Sequence, residues 1–291
     1  MKIFSLCICL LSGAVLLSGC EGFDHSEQEG PAKITRIFLP ASAENPNGSE
    51  AVLDYHYIYD NQNRVTRVAI EMNNSNEGGT NSPNVSEDYL YSYVDFDSIA
   101  ILRQVLQYGG ESVGGSSESH HLSVSIDDNR RILSMEDSSS GIRMEYTYDA
   151  DFRLNGLTKY WTRDSSLESF HLDIGWTKDG NIETILSGNF TYSFEYGDAP
   201  LVNRMNIDLL GWLLEREFME NIPLWSIGLQ GQTNRNMPSA LSIGIGNASV
   251  RIHDYSYTAQ NGYITSFTVT DSHSGHKDTY SIETAVNYSE E

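Results

Sequence analysis

The feature that most constrains the fold is a pattern of alternating aromatic residues, an acidic turn and an arginine, which returns along the chain. Its clearest copy is residues 146–157, Y-T-Y-D-A-D-F-R-L-N-G-L, in which Tyr146 and Tyr148 stand at alternate positions before Asp149. Alternation with a period of two places one face of a β-strand on a core and the other in water. An Asp at a turn accepts hydrogen bonds from backbone N–H groups that follow it. This copy therefore predicts a β-hairpin.

The spacing D-x-x-x-R, followed by one apolar residue and by a second three positions later, occurs three times. The three copies begin at Asp60, Asp127 and Asp149. Two further segments, which start at Asn181 and Tyr263, keep only the second half of the pattern. A single hairpin cannot bury its apolar face alone and needs neighbours. The repeat predicts an all-β, antiparallel up-and-down meander of hairpins that forms a curved sheet or a partly closed barrel.

One segment departs from this alternation and predicts a single inserted helix. Asn206 is a helix-capping residue, Asp208 suits the first turn, and Pro223 ends the pattern. The apolar residues between them recur at helical spacing: Leu210, Leu213, Leu214 and Phe218. We expect this helix, within an insertion near 203–239, to lie on the sheet or to close one of its open ends.

The start of the chain predicts an exported and lipid-modified protein. Lys2 precedes the apolar residues 3–17, and Leu-Ser-Gly-Cys follows at once, which is typical of a secretory signal. This end resembles a bacterial lipobox, in which the cysteine, here Cys20, becomes the lipidated N-terminus; the alternative is an ordinary signal cut elsewhere. We therefore predict a signal peptide over 1–19, a flexible acidic tether over 20–32 and a single β-domain over 33–291.

The charge and the cysteines limit the partners and the redox chemistry. Cys7 and Cys9 lie in the signal peptide, so Cys20 is the only cysteine of the mature chain and no disulfides are expected. The chain has 18 basic and 40 acidic residues, a net charge of -22, and removal of Lys2 leaves 17 against 40, or -23. This charge repels phosphate backbones and anionic lipid, so we predict no nucleic-acid partner and no membrane docking through basic residues.

Several features together are similar to an uncharacterised family of Bacteroides lipoproteins described as having a porin-like fold. They are the lipobox at Cys20, the Y-x-Y-D-x-x-x-R hairpins, which also resemble the YD-type repeats of bacterial surface proteins, and the stretches N-I-D-L-L-G-W-L-L and G-L-Q-G-Q-T-N-R-N-M-P-S. The resemblance implies an outer-membrane lipoprotein on the periplasmic or cell-surface face. It brings no activity, ligand or catalytic residue, because none is established for that family. A transmembrane barrel needs an apolar outer face, whereas these strands carry Ser, Thr, Asp and His on their second face.

One match to a catalytic motif is not expected to be catalytic. Residues 110–114, G-E-S-V-G, fit the G-x-S-x-G nucleophile elbow and precede His120 and His121. That elbow needs a strand, a strained turn and a helix within an α/β sheet. Ser112 instead precedes a Gly/Ser-rich stretch in an all-β chain, so we predict a flexible loop and no catalytic residue here.

Histidines and acidic pairs offer metal ligands, but their spacing favours turns, and we predict no metal and no cofactor. The candidates are the pair His120 and His121, the group Asp271, His273, His276 and Asp278, and the acidic pairs Asp127–Asp128 and Asp149–Asp151. Asp97-Ser98-Ile99 resembles the short O-glycosylation motif of Bacteroides exported proteins.

These observations predict a lipid-anchored cell-envelope protein with a non-catalytic binding or structural role, whose ligand is a glycan, a peptide or a partner protein. The first alternative is an envelope hydrolase that uses acidic residues in a groove of the sheet. The second is a carrier of small amphiphiles, if the meander encloses an apolar cavity. Because Asp149 and Arg153 recur for structural reasons, function is expected where the repeat fails, at 72–86, 109–119 and 203–239.

Overall fold

The computed structural model describes residues 33–39, 51–74, 85–107, 116–198, 200–205, 231, 233–246 and 248–285. Sixteen β-strands make up its regular structure: β1 (Lys33–Leu39), β2 (Ala51–Tyr59), β3 (Val65–Asn74), β4 (Val85–Tyr93), β5 (Ser98–Gln107), β6 (Ser116–Ile126), β7 (Ile132–Asp137), β8 (Ile142–Tyr148), β9 (Leu154–Arg163), β10 (Ser166–Trp176), β11 (Ile182–Ser187), β12 (Phe190–Glu195), β13 (Ala240–Ile245), β14 (Ala248–Gln260), β15 (Tyr263–Asp271) and β16 (Lys277–Ala285). The segment of the predicted helix, 206–223, lies outside the described residues, and so do Cys20 and the predicted tether. Among the described residues, no helix is long and apolar enough to cross a membrane.

The strands form one closed antiparallel barrel. Each strand pairs with its neighbours along the chain, and β1 also pairs with β16, where Ile37 lies opposite Ile282. Closure satisfies the backbone groups that a sheet edge would leave unpaired. The predicted all-β antiparallel meander is therefore confirmed. The sequence predicted either a curved sheet or a partly closed barrel, and the structure has a closed barrel.

In an up-and-down barrel the connections alternate between the two ends. The turns that begin at Asp60, Asp127 and Asp149 all follow even-numbered strands, so they lie together at one end, which we call the turn end. The long connection between β12 and β13 follows an even-numbered strand too. We call the opposite end the loop end. The repeated hairpins and the insertion therefore meet at the same end of the barrel.

The three-residue spacing of the repeat is the signature of a β-bulge. In the β6–β7 hairpin, Ile126 pairs with Ile132 while Ser125 pairs with Ser134, which leaves Leu133 as an extra residue. The extra residue lets both Ile132 and Met135 point inward. Bulges sharpen the local twist and bend a strand, which helps a sheet to close. Six odd-numbered strands carry a bulged residue at this position: Thr35, Thr66, Leu133, Asn155, Glu183 and Thr265.

The interior of the barrel is packed with apolar side chains. Fifteen of the sixteen strands contribute at least one buried apolar residue to a single cluster, and β14 adds half-buried ones. Tyr89, Phe267 and Met135 are at most 1% exposed. An open lumen in a barrel of sixteen strands would leave such residues in contact with water. The described strands therefore turn a solvent-excluded, mostly apolar face inward.

Most outward-facing side chains of the barrel are polar, with scattered apolar exceptions such as Leu167, Ile245 and Val250. Strand β6 alternates buried Leu122 and Val124 with exposed Ser123 and Ser125, and other strands follow the same rule. Ser and Thr also form hydrogen bonds across the outer face, such as that between Thr268 and Thr279 at 2.8 Å. Transfer of hydroxyl and charged groups to hydrocarbon costs free energy, so an exterior of this kind favours contact with water. The barrel thus presents its apolar face inward and its polar face outward.

Candidate binding site

The turn at Asp149 is built by the carboxylate of that residue. Asp149 Oδ1 accepts hydrogen bonds at 2.9 Å from the backbone N–H groups of Asp151 and Arg153, and its Oδ2 accepts one at 2.8 Å from Arg153 Nε. The backbone N–H of Asp149 in turn donates to the Arg153 carbonyl at 2.9 Å. A five-residue loop is closed in this way by one Asp and one Arg, because a carboxylate accepts several N–H groups at once.

The same hydrogen bonds occur at Asp60 with Arg64 and at Asp127 with Arg131. Burial raises the pKa of these carboxyl groups, but hydrogen bonds from the arginine outweigh this effect and hold the pKa of Asp60, Asp127 and Asp149 below its usual range. The prediction that these aspartates are turn residues is confirmed. None of the three has a free carboxylate for catalysis.

The arginine of each repeat, and the carbonyl of the residue after it, also contact an aromatic side chain at the end of the next hairpin's first strand. The Arg131 guanidinium lies 4.6 Å from the centre of the Tyr148 ring, and the Tyr148 hydroxyl donates to the carbonyl of Ile132 at 2.8 Å. In the same way, the Arg64 guanidinium lies 4.2 Å from the Tyr93 ring, whose hydroxyl donates to the Val65 carbonyl at 2.9 Å. The Arg153 guanidinium lies 5.8 Å from the Trp176 ring, whose Nε1–H donates to the Leu154 carbonyl at 2.8 Å. We call this arrangement the clasp. It satisfies a carbonyl next to the bulge and explains why arginine is followed by an apolar residue.

The fourth residue of each turn has a positive φ. Asn63 (62°), Arg130 (61°) and Phe152 (63°) occupy this position in the three clearest copies, and Gly180 (80°) occupies it in the turn at Thr177. Glycine and asparagine tolerate such a backbone, whereas a bulky aromatic residue rarely adopts it. Phe152 nevertheless stands there with 53% of its side chain exposed. Its ring lies 4.8 Å from the Arg131 guanidinium.

The end of the insertion runs across two of these turns. Gly231 pairs with Arg153, and a side chain at Gly231 would meet the Phe152 carbonyl oxygen at 2.2 Å, so only glycine fits. The backbone N–H of Arg235 donates to the Gly180 carbonyl at 3.0 Å. Asn234 is 1% exposed, and its Oδ1 accepts from the Ile182 N–H at 2.6 Å. Asparagine side chains thus hold this segment in place.

These elements surround an open groove of about 610 Å³ at the turn end. Three segments form its walls: residues 150–153 of the β8–β9 turn, residues 178–180 of the β10–β11 turn, and Arg235 of the insertion. Arg153 pairs with Asp149 and with Asp151. The side chains of Lys178 and Arg235 form no ion pair with the described residues. The groove is therefore lined by two cations that form no ion pair with the described residues, by the carboxylates of Asp151 and Asp179, and by Phe152, whose side chain is 53% exposed.

A second group of charged side chains faces the interior near the loop end. His120 Nε2 lies 3.0 Å from Glu118 Oε1, and its Nδ1 lies 3.3 Å from Asp137 Oδ2. On the next strands, Arg103 pairs with Glu87 at 3.1 Å, and Glu87 accepts a hydrogen bond from Tyr89 at 2.7 Å. Burial, together with the nearby Glu87 carboxylate, raises the pKa of Tyr89. Three carboxylates, one guanidinium and one imidazole thus form a polar cluster inside the mouth of the barrel.

The predicted metal candidates are not brought together. His120 points inward and His121 outward, since neighbours on a strand face opposite sides. Asp271 builds the β15–β16 turn by accepting the N–H groups of His273 and Ser274, and His276 lies 3.2 Å from Asp278. Within the described residues, no group of three or more His, Cys, Asp or Glu side chains is placed to hold a metal ion.

The other singled-out residues are structural or lie outside the described ranges. Ser112 and most of the predicted loop lie outside the described residues, between 107 and 116. Ser98 is the first residue of β5 and precedes the buried Ile99. The carbonyl of Asp97 accepts a hydrogen bond from the backbone N–H of Ile126 at 2.9 Å. Asp128 is exposed in the turn that Asp127 builds.

The sequence patterns did not single out three residues that line the groove: Phe152, Lys178 and Arg235. The signal for Phe152 was available, because alignment of the repeats places a phenylalanine where the other copies have Asn63, Arg130 and Gly180. Arg235 belongs to the insertion in which function was expected, but nothing in the sequence placed it beside Lys178. That proximity depends on the path of the insertion over the barrel.

With the fold and the groove described, the solved structures can be compared. The fold is similar to that of a porin-like protein from Bacteroides uniformis. The TM-score is 0.61 at 12% sequence identity, over 88% of this chain and 99% of that protein. A porin-like protein from Bacteroides vulgatus also aligns, at 11% identity over 87% and 99% of the two chains, with a TM-score of 0.37. No protein-family model and no curated protein sequence matches the chain. The shared property is the fold.

Proposed function

We propose that this chain is a lipid-anchored protein of the outer membrane with a non-catalytic binding role, carried by a closed barrel that does not span the bilayer. The anchor is the acylated Cys20, at the end of the lipobox-like segment. The barrel serves as a rigid scaffold, and its ligand is a glycan, a peptide or a partner protein. The likeness to a porin-like protein from Bacteroides supports an envelope location.

The single observation that carries this proposal is the polarity of the barrel. A barrel in the outer membrane turns its apolar residues to lipid and its polar residues to the lumen. Here Val124 and Leu122 are buried while Ser123 and Ser125 on the same strand face outward. This arrangement supports a barrel whose outer surface contacts water and whose described interior is occupied by side chains. A separate lipid anchor then has a purpose, because the barrel itself does not hold the chain in the membrane.

The two alternatives have less support among the described residues. A carrier of amphiphiles needs an apolar cavity, whereas the described interior is filled by side chains such as Tyr89, Phe267 and Met144. A hydrolase needs carboxylates that converge and are free to act. The turn aspartates are held by arginines, and Asp137 accepts hydrogen bonds from Ser139 and Ser140. A binding role remains, on the outer surface.

Metabolic labelling with a radioactive fatty acid tests the anchor. The wild-type chain is expected to retain the label and to fractionate with the outer membrane, and Cys20→Ala is expected to lose both properties. Retention of the label by Cys20→Ala would contradict the proposal. For the barrel, purified wild-type chain added to a planar lipid bilayer is expected to produce no ion current, and stable current steps would contradict a barrel that stays outside the bilayer.

A further inference from the structure

We propose that the groove at the turn end binds an acidic saccharide, with the Phe152 ring as the platform for a sugar ring and with Lys178 and Arg235 as partners of its carboxylate. The inference rests on the binding role proposed above and names the class of ligand. Three independent features of the groove carry it: a strained aromatic residue, unneutralised cations and a wall held by buried hydrogen bonds.

The conformation of Phe152 indicates a role beyond folding. Its φ of 63° is costly for an aromatic residue, whereas the other two copies have Asn63 and Arg130 at the equivalent position. Residues held in such conformations cluster at ligand sites. The Arg131 guanidinium lies 4.8 Å from the ring, which keeps 53% exposure. An exposed aromatic face is suited to the C–H face of a sugar, because its π-electrons attract weakly positive hydrogens.

The charges of the groove select an anionic group. Of the 40 acidic and 18 basic residues in the chain, most described arginines pair with a carboxylate, as Arg153 does with Asp149. Lys178 and Arg235 have no such partner among the described residues, although both line one groove. A guanidinium binds a carboxylate through two parallel hydrogen bonds. Asp179, also in the lining, is an acceptor for sugar hydroxyl groups.

The groove is organised before a ligand arrives. Asn181, Asn234 and Asn236 are each at most 9% exposed, and the N–H of Asn236 donates to Asn181 Oδ1 at 2.8 Å. These bonds hold the backbone of Arg235 against the β10–β11 turn, so binding does not have to order the wall. The net charge of -22 acts weakly here, since charges beyond about 8 Å are screened at physiological ionic strength. An acidic peptide would supply carboxylates but no ring for Phe152.

Calorimetric titration of the purified full chain tests this site. The probes are trigalacturonic acid, its methyl ester, which keeps the rings and removes the charge, and hexaglutamate. We expect the acid to bind and the ester to bind about tenfold more weakly or not at all, because each lost charge-assisted contact changes the dissociation constant by about that factor. Phe152→Asn and Arg235→Ala are each expected to weaken binding of the acid about tenfold.

Two control variants match these changes outside the groove. Phe96→Asn removes an aromatic residue that is 69% exposed in the β4–β5 turn, and Lys277→Ala removes a cation at the start of β16. Both are expected to bind the acid like the wild type. Phe152→Asn installs the residue found at Asn63, so its thermal unfolding is expected to match or exceed that of the wild type.

Several results would overturn the inference: no binding of trigalacturonic acid, equal binding of the ester, unchanged binding in Phe152→Asn and Arg235→Ala, or stronger binding of hexaglutamate, which would identify an acidic peptide as the ligand class. None of these results changes the fatty-acid labelling of Cys20. A negative titration therefore contradicts only the acidic saccharide as ligand. A negative fatty-acid labelling contradicts the proposed lipid anchor.

Discussion

Single hydrogen bonds and stacked guanidinium groups join one hairpin of this barrel to the next. The Tyr148 hydroxyl is the donor to the Ile132 carbonyl at 2.8 Å, and burial raises the pKa of Tyr148. The equivalent Tyr93 donates to Val65, and burial raises the pKa of Tyr93 to about 12. Both hydroxyl groups are therefore protonated at neutral pH and can donate these hydrogen bonds. Their role is to satisfy a carbonyl and to receive an arginine.

Removal of one clasp hydroxyl is expected to destabilise the barrel. Tyr148→Phe leaves the Ile132 carbonyl without its donor, and a buried carbonyl that loses its only side-chain partner costs about 1–2 kcal/mol. Urea unfolding followed by tryptophan fluorescence measures this change. The matched control is Tyr160→Phe, whose hydroxyl bonds to Glu145 at 3.0 Å on the surface, and a change within about 0.5 kcal/mol is expected there. Equal losses in both variants would contradict the clasp.

The turn carboxylates make stability depend on acid. Their pKa is lower in the folded chain than in the unfolded chain, because the arginine hydrogen bonds outweigh the effect of burial. Their contribution is therefore complete above the unfolded pKa of about 4 and is lost as the pH falls through the folded pKa. We expect the free energy of unfolding to fall as the pH drops below about 4.

A triple variant isolates this contribution. Replacement of Asp60, Asp127 and Asp149 by Asn keeps an acceptor oxygen in each turn and removes the titrating charge. Urea unfolding at a series of pH values is expected to show a lower plateau at neutral pH and a flatter acid limb than in the wild type. An acid limb as steep as that of the wild type would assign acid sensitivity to other carboxylates, such as Asp137 and Asp271, whose pKa is also lowered.

At the scale of the element, the bulge decides whether a returning strand buries the correct face. A strand without the extra residue would turn Met135 outward if Ile132 stayed inward, because side chains alternate. The sequence contained this information as the three-residue spacing between the apolar residues of each repeat. It predicted the hairpins and their repetition, but closure depends on the pairing of β1 with β16, far apart in the chain, which no local pattern encodes.

Deletion of Leu133 tests the bulge. The deletion moves Met135 and the residues after it to the other face of β7, so we expect loss of the cooperative thermal transition or a fall in Tm well beyond that of any surface substitution. Leu133→Thr keeps the extra residue, and its side chain is already 44% exposed, so its Tm is expected to stay close to that of the wild type. A deletion tolerated as well as the substitution would show that the extra residue does not set the register.

At the scale of the whole molecule, the described strands separate an apolar interior from a largely polar exterior. The alternation of Tyr and Leu with Ser and Thr predicted two unlike faces, but it did not say which face the barrel would enclose. The exposures decide this, since Tyr89 and Ile101 are buried while Ser123 and Ser125 are exposed. The groove could not be predicted in the same way, because Phe152, Lys178 and Arg235 come from three separate segments.

Cysteine labelling in intact outer membranes tests the orientation of the two faces most directly. Cys20 is the only cysteine expected in the mature chain, and its thiol is expected to be acylated. A single introduced cysteine is therefore the only thiol that a maleimide can label, and the wild-type chain is the negative control. Ser125→Cys and Val124→Cys place neighbouring thiols of β6 on the outer and inner faces. We predict that a membrane-impermeant maleimide labels Ser125→Cys rapidly and leaves Val124→Cys unlabelled until the protein is denatured. The reverse pattern, with Val124→Cys labelled through a water-filled lumen and Ser125→Cys shielded by lipid, would contradict a barrel with a dry interior and a hydrated surface.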